Sequence, residues 1–252
     1  MMAGEAPPGA RRGGLENNER RLVEAAELVV RSLRGGGDTH TVAAAAMSTT
    51  GAVFTGVNVH HFTGGPCAEM VAIGAAAQAN AGPLISIVAV GDRDRGVLAP
   101  CGRCRQVLSD LHPDVYVVVP AAAGELTALP IRDLLPVGFA PPADASRPRV
   151  VYFHPRHYDS IASGRKTATV RYQEPLQPGP VVLVFDDGDD IRHLDAVVER
   201  VESRRWHRLS DDDALREALP DRDALRAALR RQYPALADDA VVEVATFHLT
   251  SG

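Results

Sequence analysis

Pro66-Cys67-Ala68-Glu69 and, 34 positions on, Pro100-Cys101-Gly102-Arg103-Cys104 hold all three cysteines of this 252-residue chain. Three soft ligands form an incomplete zinc set. A structural site closes the tetrahedron with a fourth protein ligand, whereas a catalytic site leaves that position to water. His60 or His61 as fourth ligand would give the closed arrangement. Glu69 argues for the open one, because a structural site has no use for a carboxylate beside the metal while a hydrolytic site needs a proton carrier there. Both cysteine segments read as helix starts, Cys67–Gln78 and Cys101–Leu111, so two positive helix ends would meet at the metal. Arg103 and Arg105 are expected to donate to the sulfurs.

Cys-Ala-Glu followed by Pro-Cys-x-x-Cys resembles the three-cysteine form of the zinc deaminase signature. With Thr55-Gly56-Val57-Asn58-Val59-His60-His61-Phe62-Thr63-Gly64-Gly65 before the first cysteine, Arg105-Gln106-Val107-Leu108 after the last, and Ile131-Arg132-Asp133-Leu134-Leu135-Pro136, residues 15–140 are similar to the blasticidin-S deaminases of the cytidine deaminase superfamily. The resemblance implies a three-layer α/β/α fold and a homotetramer with one Zn2+ per subunit, held by Cys67, Cys101 and Cys104. It further implies Glu69 as the catalytic proton carrier and hydrolytic loss of ammonia from a cytosine nucleoside or cytosine nucleoside antibiotic, a resistance function in the latter case. Ordinary members hold ribose with Asn-x-Glu. Here Asn58 matches and His60 stands where the Glu would be, which weakens the case for plain ribose. Asn58, His60, Phe62 and Phe139 are the candidate substrate contacts, with a solvent-facing rim as the competing role for His60.

Composition bounds the rest. A hydrophobic content of 45% over this length suits two cores. The net charge of −5 disfavours sequence-independent nucleic-acid binding. The longest apolar runs, such as 84–90, are strand-sized, so no membrane partner is expected. The Gly-, Pro- and Arg-rich start lacks a secretory core, and a cytoplasmic location with reduced thiols is expected. The domain plan is a disordered N-terminus over 1–14, an α/β deaminase-like domain over 15–139, a linker over 140–148, and a second domain over 149–252.

In the second domain the pattern predicts strands at 150–153, 167–171, 181–185, 196–201 and 241–247, with helices at 158–163, 211–219 and 222–231. Lys166 is the only lysine, every other one of the chain's 27 Lys and Arg residues being arginine. A lysine can lose its proton when buried or crowded by like charge, and an arginine cannot. Ser163-Gly164-Arg165-Lys166-Thr167-Ala168-Thr169-Val170-Arg171, with Tyr233-Pro234 and Ala245-Thr246-Phe247, resembles the ASCH domain, a small PUA-like β-barrel. Compact bacterial members hydrolyse acylated cytidine with a Lys, a Thr three positions later and a distal Glu. That similarity places the roles on Lys166, Thr169 and Glu217, with Arg171 as a substrate contact. Lys166 and Thr169 have opposite parity in a strand, so they share a site only if Lys166 precedes the strand or lies at a bulge. Two function classes remain open: an enzyme whose two domains act in turn on the exocyclic nitrogen of cytosine, and a deaminase carrying an RNA-binding module.

Overall fold

A computed structural model describes residues 14–33, 37–121, 124–139 and 146–250. The chain divides into two compact units, residues 11–144 with 186–192, and 145–185 with 193–252. Residues 1–13 of the expected N-terminus and 140–145 of the expected linker lie outside the described residues.

The first unit is a six-stranded sheet between helical layers. Helix α1 (Asn17–Ser32) opens with the Glu19 carboxylate accepting from Glu16 N at 2.9 Å. It buries the stripe Leu22, Ala26 and Val30, which packs on β1 (Val42–Ser48) and β3 (Leu84–Gly91). Strand β1 turns at Gly51, whose φ of +80° suits glycine, into β2 (Val53–Val57). Helix α2 (Ala68–Gln78) leads to β3, a short β4 (Gly96–Leu98) pairs back on β3, and α3 (Gly102–Leu111) crosses to β5 (Tyr116–Pro120). Strand β6 (Leu126–Pro130) and α4 (Ile131–Leu134) end the unit.

The sheet order is β2-β1-β3-β5-β6 with β4 on β3, and β3 and β5 are the parallel pair. Residues alternate across a strand. Ala44 and Ala46 of β1 therefore join Ile87, Ala89, Val117 and Val119 under α2 and α3, where Ala68, Ala72, Ile73 and Leu108 meet them. The three-layer α/β/α expectation holds.

In the second unit β7 (Arg149–Phe153) leads through a 3-10 turn (Pro155–His157) to α5 (Tyr158–Ala162), β8 (Ala168–Arg171) and β9 (Gly179–Asp186). A long β10 (Ile191–Arg205), α6 (Asp211–Arg216), α7 (Arg222–Gln232) and β11 (Val241–Leu249) complete it. The five strands run β7-β9-β10-β11-β8 in a curled half-barrel. One face buries Phe153, Phe185 and Phe247, and the other buries Val170, Trp206, Leu225 and Tyr233. Strand β8 is an edge. There Val170 N donates to Glu217 Oε1 at 2.6 Å, and Thr167 N, just ahead of the strand, donates to Arg216 O at 2.8 Å. Such cover satisfies backbone donors that an open edge leaves unpaired.

Candidate functional site

Cys67 is the N-cap of α2 and Cys101 the N-cap of α3. A residue at that position lies against the unpaired N–H groups of the first turn, which carry the positive end of the helix dipole. Cys104 follows one turn later on α3, where it is buried. The sulfurs of Cys67 and Cys101 stand 3.7 Å apart and those of Cys101 and Cys104 3.5 Å, all three lying within 4.8 Å of one another. Tetrahedral zinc with bonds of about 2.3 Å sets its ligand sulfurs roughly 3.8 Å apart. The donor set fits.

Burial pushes the Cys104 thiol up, and Glu69 and the other two thiols push the same way. Burial also raises Cys101, but backbone N–H groups of Cys104 and Arg103 and the neighbouring thiols outweigh it and bring that thiol below its ordinary value. Converging thiolates and a carboxylate repel one another, and a dication meets that demand. Glu69, in the first turn of α2, is buried and its field reaches Cys67 and Cys104.

Two glycines set the ligand-bearing turn. A Cβ on Gly56 of β2 would lie 2.4 Å from Ala72 N and 2.7 Å from Ala68 O, so this strand packs directly on the backbone of α2. A Cβ on Gly65 would lie 1.8 Å from Val59 O, where the loop closes with Val59 N donating to Pro66 O at 3.0 Å. The loop thus delivers Cys67 to the helix start. Asn58 turns its Oδ1 to the N–H groups of Thr41 and Val42, at 2.7 and 2.8 Å.

The second unit has its own buried polar cluster. Lys166 precedes β8, so the parity problem does not arise. Lys166, Thr169 and Arg171 are buried. The Lys166 amine pairs with Glu217 Oε2, on the C-cap residue of α6. Its Nζ lies 5.8 Å from the centroid of the Phe153 ring and the Arg171 guanidinium carbon 4.7 Å from the same centroid. Arg171 Nε donates to Thr169 Oγ1 at 3.1 Å. Amine and guanidinium therefore share one aromatic ring, and the hydroxyl is held by the guanidinium. Burial, then the charges of Arg171 and Arg156, hold the Lys166 amine well below the ordinary lysine value, and the Glu217 carboxylate opposes them. The same setting holds His157 neutral: burial first, then Lys166, Arg156, His154 and Arg171, bring its pKa to about 3. Ala218, next to Glu217, has a φ of 59°, which L residues other than glycine adopt at a cost of about 1 to 2 kcal/mol.

The model of the cytidine and deoxycytidylate deaminase zinc-binding region matches residues 16–119. A blasticidin-S deaminase of Bacillus cereus is 34% identical over 109 residues, 40% of this chain and 77% of that protein. The chain belongs to the cytidine deaminase family. A solved cytidine deaminase from Burkholderia pseudomallei shares 34% identity over 48% of this chain and 98% of its own, with a TM-score of 0.42. An ASCH domain from Lactobacillus crispatus aligns with 40% of this chain and 77% of its own at 20% identity and a TM-score of 0.32.

In the deaminase unit the zinc ligands and Glu69 come together, and the outer candidates are placed less uniformly. His60 is exposed, its N donating to Thr39 O at 2.8 Å. Phe62 is 92% exposed with His61 against its ring, and Phe139 is 74% exposed with its carbonyl held by Gln106 Nε2 of α3 at 2.8 Å. Neither aromatic ring is buried within its own unit. The expected arginine donors to sulfur are not among the bonds of the described residues. Arg105 instead holds the carbonyls of Pro100 and Leu134, at 2.8 and 3.1 Å, and Arg103 is exposed. The backbone N–H groups of Arg103 and Cys104 lower the Cys101 thiol in their place. No helix of the described residues is long and apolar enough to cross a membrane.

Proposed function

We propose that the first unit deaminates a cytosine nucleoside or a cytosine nucleoside antibiotic of the blasticidin-S type, and that the second unit prepares its substrate by removing an acyl group from the same exocyclic nitrogen. The observation that supports this most is the pairing, in one chain, of the three-thiol site beside Glu69 with a buried amine–hydroxyl–guanidinium cluster. Zinc, when bound by Cys67, Cys101 and Cys104, supplies the Lewis acid that makes water nucleophilic near neutral pH. Glu69 takes the proton released as water adds to the ring carbon and hands it to the departing amine, which leaves as ammonia. The lone Glu69 carboxylate performs both transfers. Asn58, whose carbonyl is engaged by the backbone, offers its amide N–H groups to the nucleoside. Phe62 and Phe139, exposed in the single chain, suit burial at the subunit contacts of a homotetramer. The free thiols suit a reducing compartment such as the cytoplasm.

In the second unit Lys166 takes the Thr169 proton as the hydroxyl attacks the acyl carbonyl. The C–N bond then breaks, the nitrogen leaves as the free exocyclic amine carrying that proton, and water hydrolyses the threonine ester to a carboxylate. Phe153 provides a ring for the base to meet. Replacing Lys166 or Thr169 by Ala in the full-length protein is expected to abolish release of acetate from N4-acetylcytidine while cytidine deamination stays within twofold of wild type. Wild-type protein that leaves the acylated nucleoside intact but retards RNA on a gel would instead make the second unit a recruitment module.

A further inference from the structure

The Tyr233-Pro234 motif has no part in the chemistry above, yet its side chain reaches the second site through an unbroken chain of hydrogen bonds. Tyr233, buried, donates its hydroxyl to Glu174 Oε1 at 2.9 Å and accepts from Gln232 Nε2 at 3.1 Å. Glu174 Oε2 accepts from Arg171 NH1 at 2.8 Å, and Arg171 NH2 donates to Tyr152 O at 2.8 Å. The remaining Arg171 donor, Nε, points at Thr169 Oγ1. Each nitrogen of the guanidinium therefore has a partner, and its plane is fixed against the Phe153 ring. Local backbone supports the arrangement. Gln173, two residues past the end of β8, has a φ of 57°, a conformation rare for a non-glycine residue, and it folds the chain so that Glu174 returns to Arg171. Strained backbone of this kind persists where the surroundings over-determine it.

Resting on the deacylase reading of this site, we propose that Glu174 and Tyr233 are positioning residues: they hold the Arg171 guanidinium so that its Nε–H occupies one lone pair of the Thr169 hydroxyl and leaves the hydroxyl proton to Lys166. A hydroxyl has one proton and two acceptor positions, so a fixed donor on one side directs the proton to the other. The same guanidinium stabilises negative charge on the oxygen as that proton leaves. One arginine thus serves both partners of the nucleophile pair, because its charge also disfavours protonation of Lys166.

The sole lysine makes the test direct. Protein carrying 13Cε-lysine gives one lysine signal, whose movement with pH reports Lys166 alone. In Glu174→Ala the guanidinium is released, and the Lys166 titration is expected to move up toward that of a free lysine. N4-acetylcytidine deacylation is expected to lose about a hundredfold in kcat with KM within twofold. Tyr233→Phe keeps the ring in the core and is expected to shift both in the same direction by a smaller amount. Glu174→Asp, retaining a carboxylate, is expected to recover part of the rate. Loss of the Glu174 charge alone would leave the Lys166 titration in place or lower it, and either result in a folded Glu174→Ala protein overturns the proposal. If wild-type protein does not deacylate, the parent reading fails. The titration still judges the relay, a raised midpoint upholding it and an unmoved or lowered one overturning it.

Discussion

Gly56→Ala tests how the deaminase unit sets its metal ligands. The added methyl would stand 2.4 Å from Ala72 N, 2.7 Å from Ala68 O and 2.8 Å from Val71 C, all backbone atoms that no rotamer change can move away. Ordinary contact begins at 3.4 Å against that 2.4 Å, so α2 must retreat from β2 by about 1 Å. Helix α2 carries Cys67 at its cap and Glu69 in its first turn, whereas Cys101 and Cys104 belong to α3. The retreat therefore pulls one ligand and the proton carrier away from the other two ligands. Overpacking of this kind costs roughly 1 to 3 kcal/mol of stability, and a misplacement near 1 Å at a reacting centre costs about a hundredfold in rate. Urea unfolding, zinc content and kcat/KM on the best cytosine nucleoside substrate measure the three consequences. The expected result is a less stable protein that binds zinc more weakly and is about a hundredfold slower. A folded variant with wild-type stability and rate would show that the β2–α2 contact does not set the site.

Further outcomes follow from the second unit. His157 has a folded pKa of about 3, below the ordinary value of about 6.5, so the unfolded chain takes up a proton that the folded one refuses. Its contribution to stability is complete above about pH 6.5 and falls as pH drops toward 3, by up to about 1.4 kcal/mol per pH unit. Denaturant unfolding at pH 7 and pH 5 should show more loss of stability in wild type than in His157→Gln, by roughly 1 kcal/mol once solvent screening of the half-buried ring is allowed for, and parallel curves would contradict the assignment. Ala218→Gly relieves the left-handed backbone beside Glu217 and should add roughly 0.5 to 1 kcal/mol, glycine's greater unfolded-state entropy offsetting part of the relief. Calorimetry giving a lower Tm would refute it.

The sequence makes the zinc site legible because its residues are local. Each cysteine that opens a helix follows a proline, and the Cys-Ala-Glu and Cys-x-x-Cys spacings are confined to single turns, so helix starts were readable to within one residue at Cys67 and Cys101. Strand β4 has three residues, too short for periodicity to register, and β6 ends at Pro130 on the edge of the sheet, where proline is tolerated but reads as a break. Arg105 shows the limit of local inference. It lies beside the ligands in sequence, yet its donors go to Pro100 and to Leu134, a partner that only the tertiary fold supplies. The Glu174–Tyr233 link joins residues 59 positions apart. No motif announces it, although the Tyr-Pro pair marks one end. The pairing of Lys166 with Glu217 is similarly distant, and the family resemblance, not periodicity, pointed to it.

If both sites act in order on one nitrogen, the product course from N4-acetylcytidine shows it most directly. With wild-type protein, acetate and cytidine are expected first, followed by uridine and ammonia. With Glu69→Gln, acetate release should continue, cytidine should accumulate, and ammonia should fall by several orders of magnitude while zinc remains bound. Wild-type protein that deaminates cytidine but never releases acetate, or Glu69→Gln protein that still yields ammonia at a tenth of the wild-type rate, would contradict the claim.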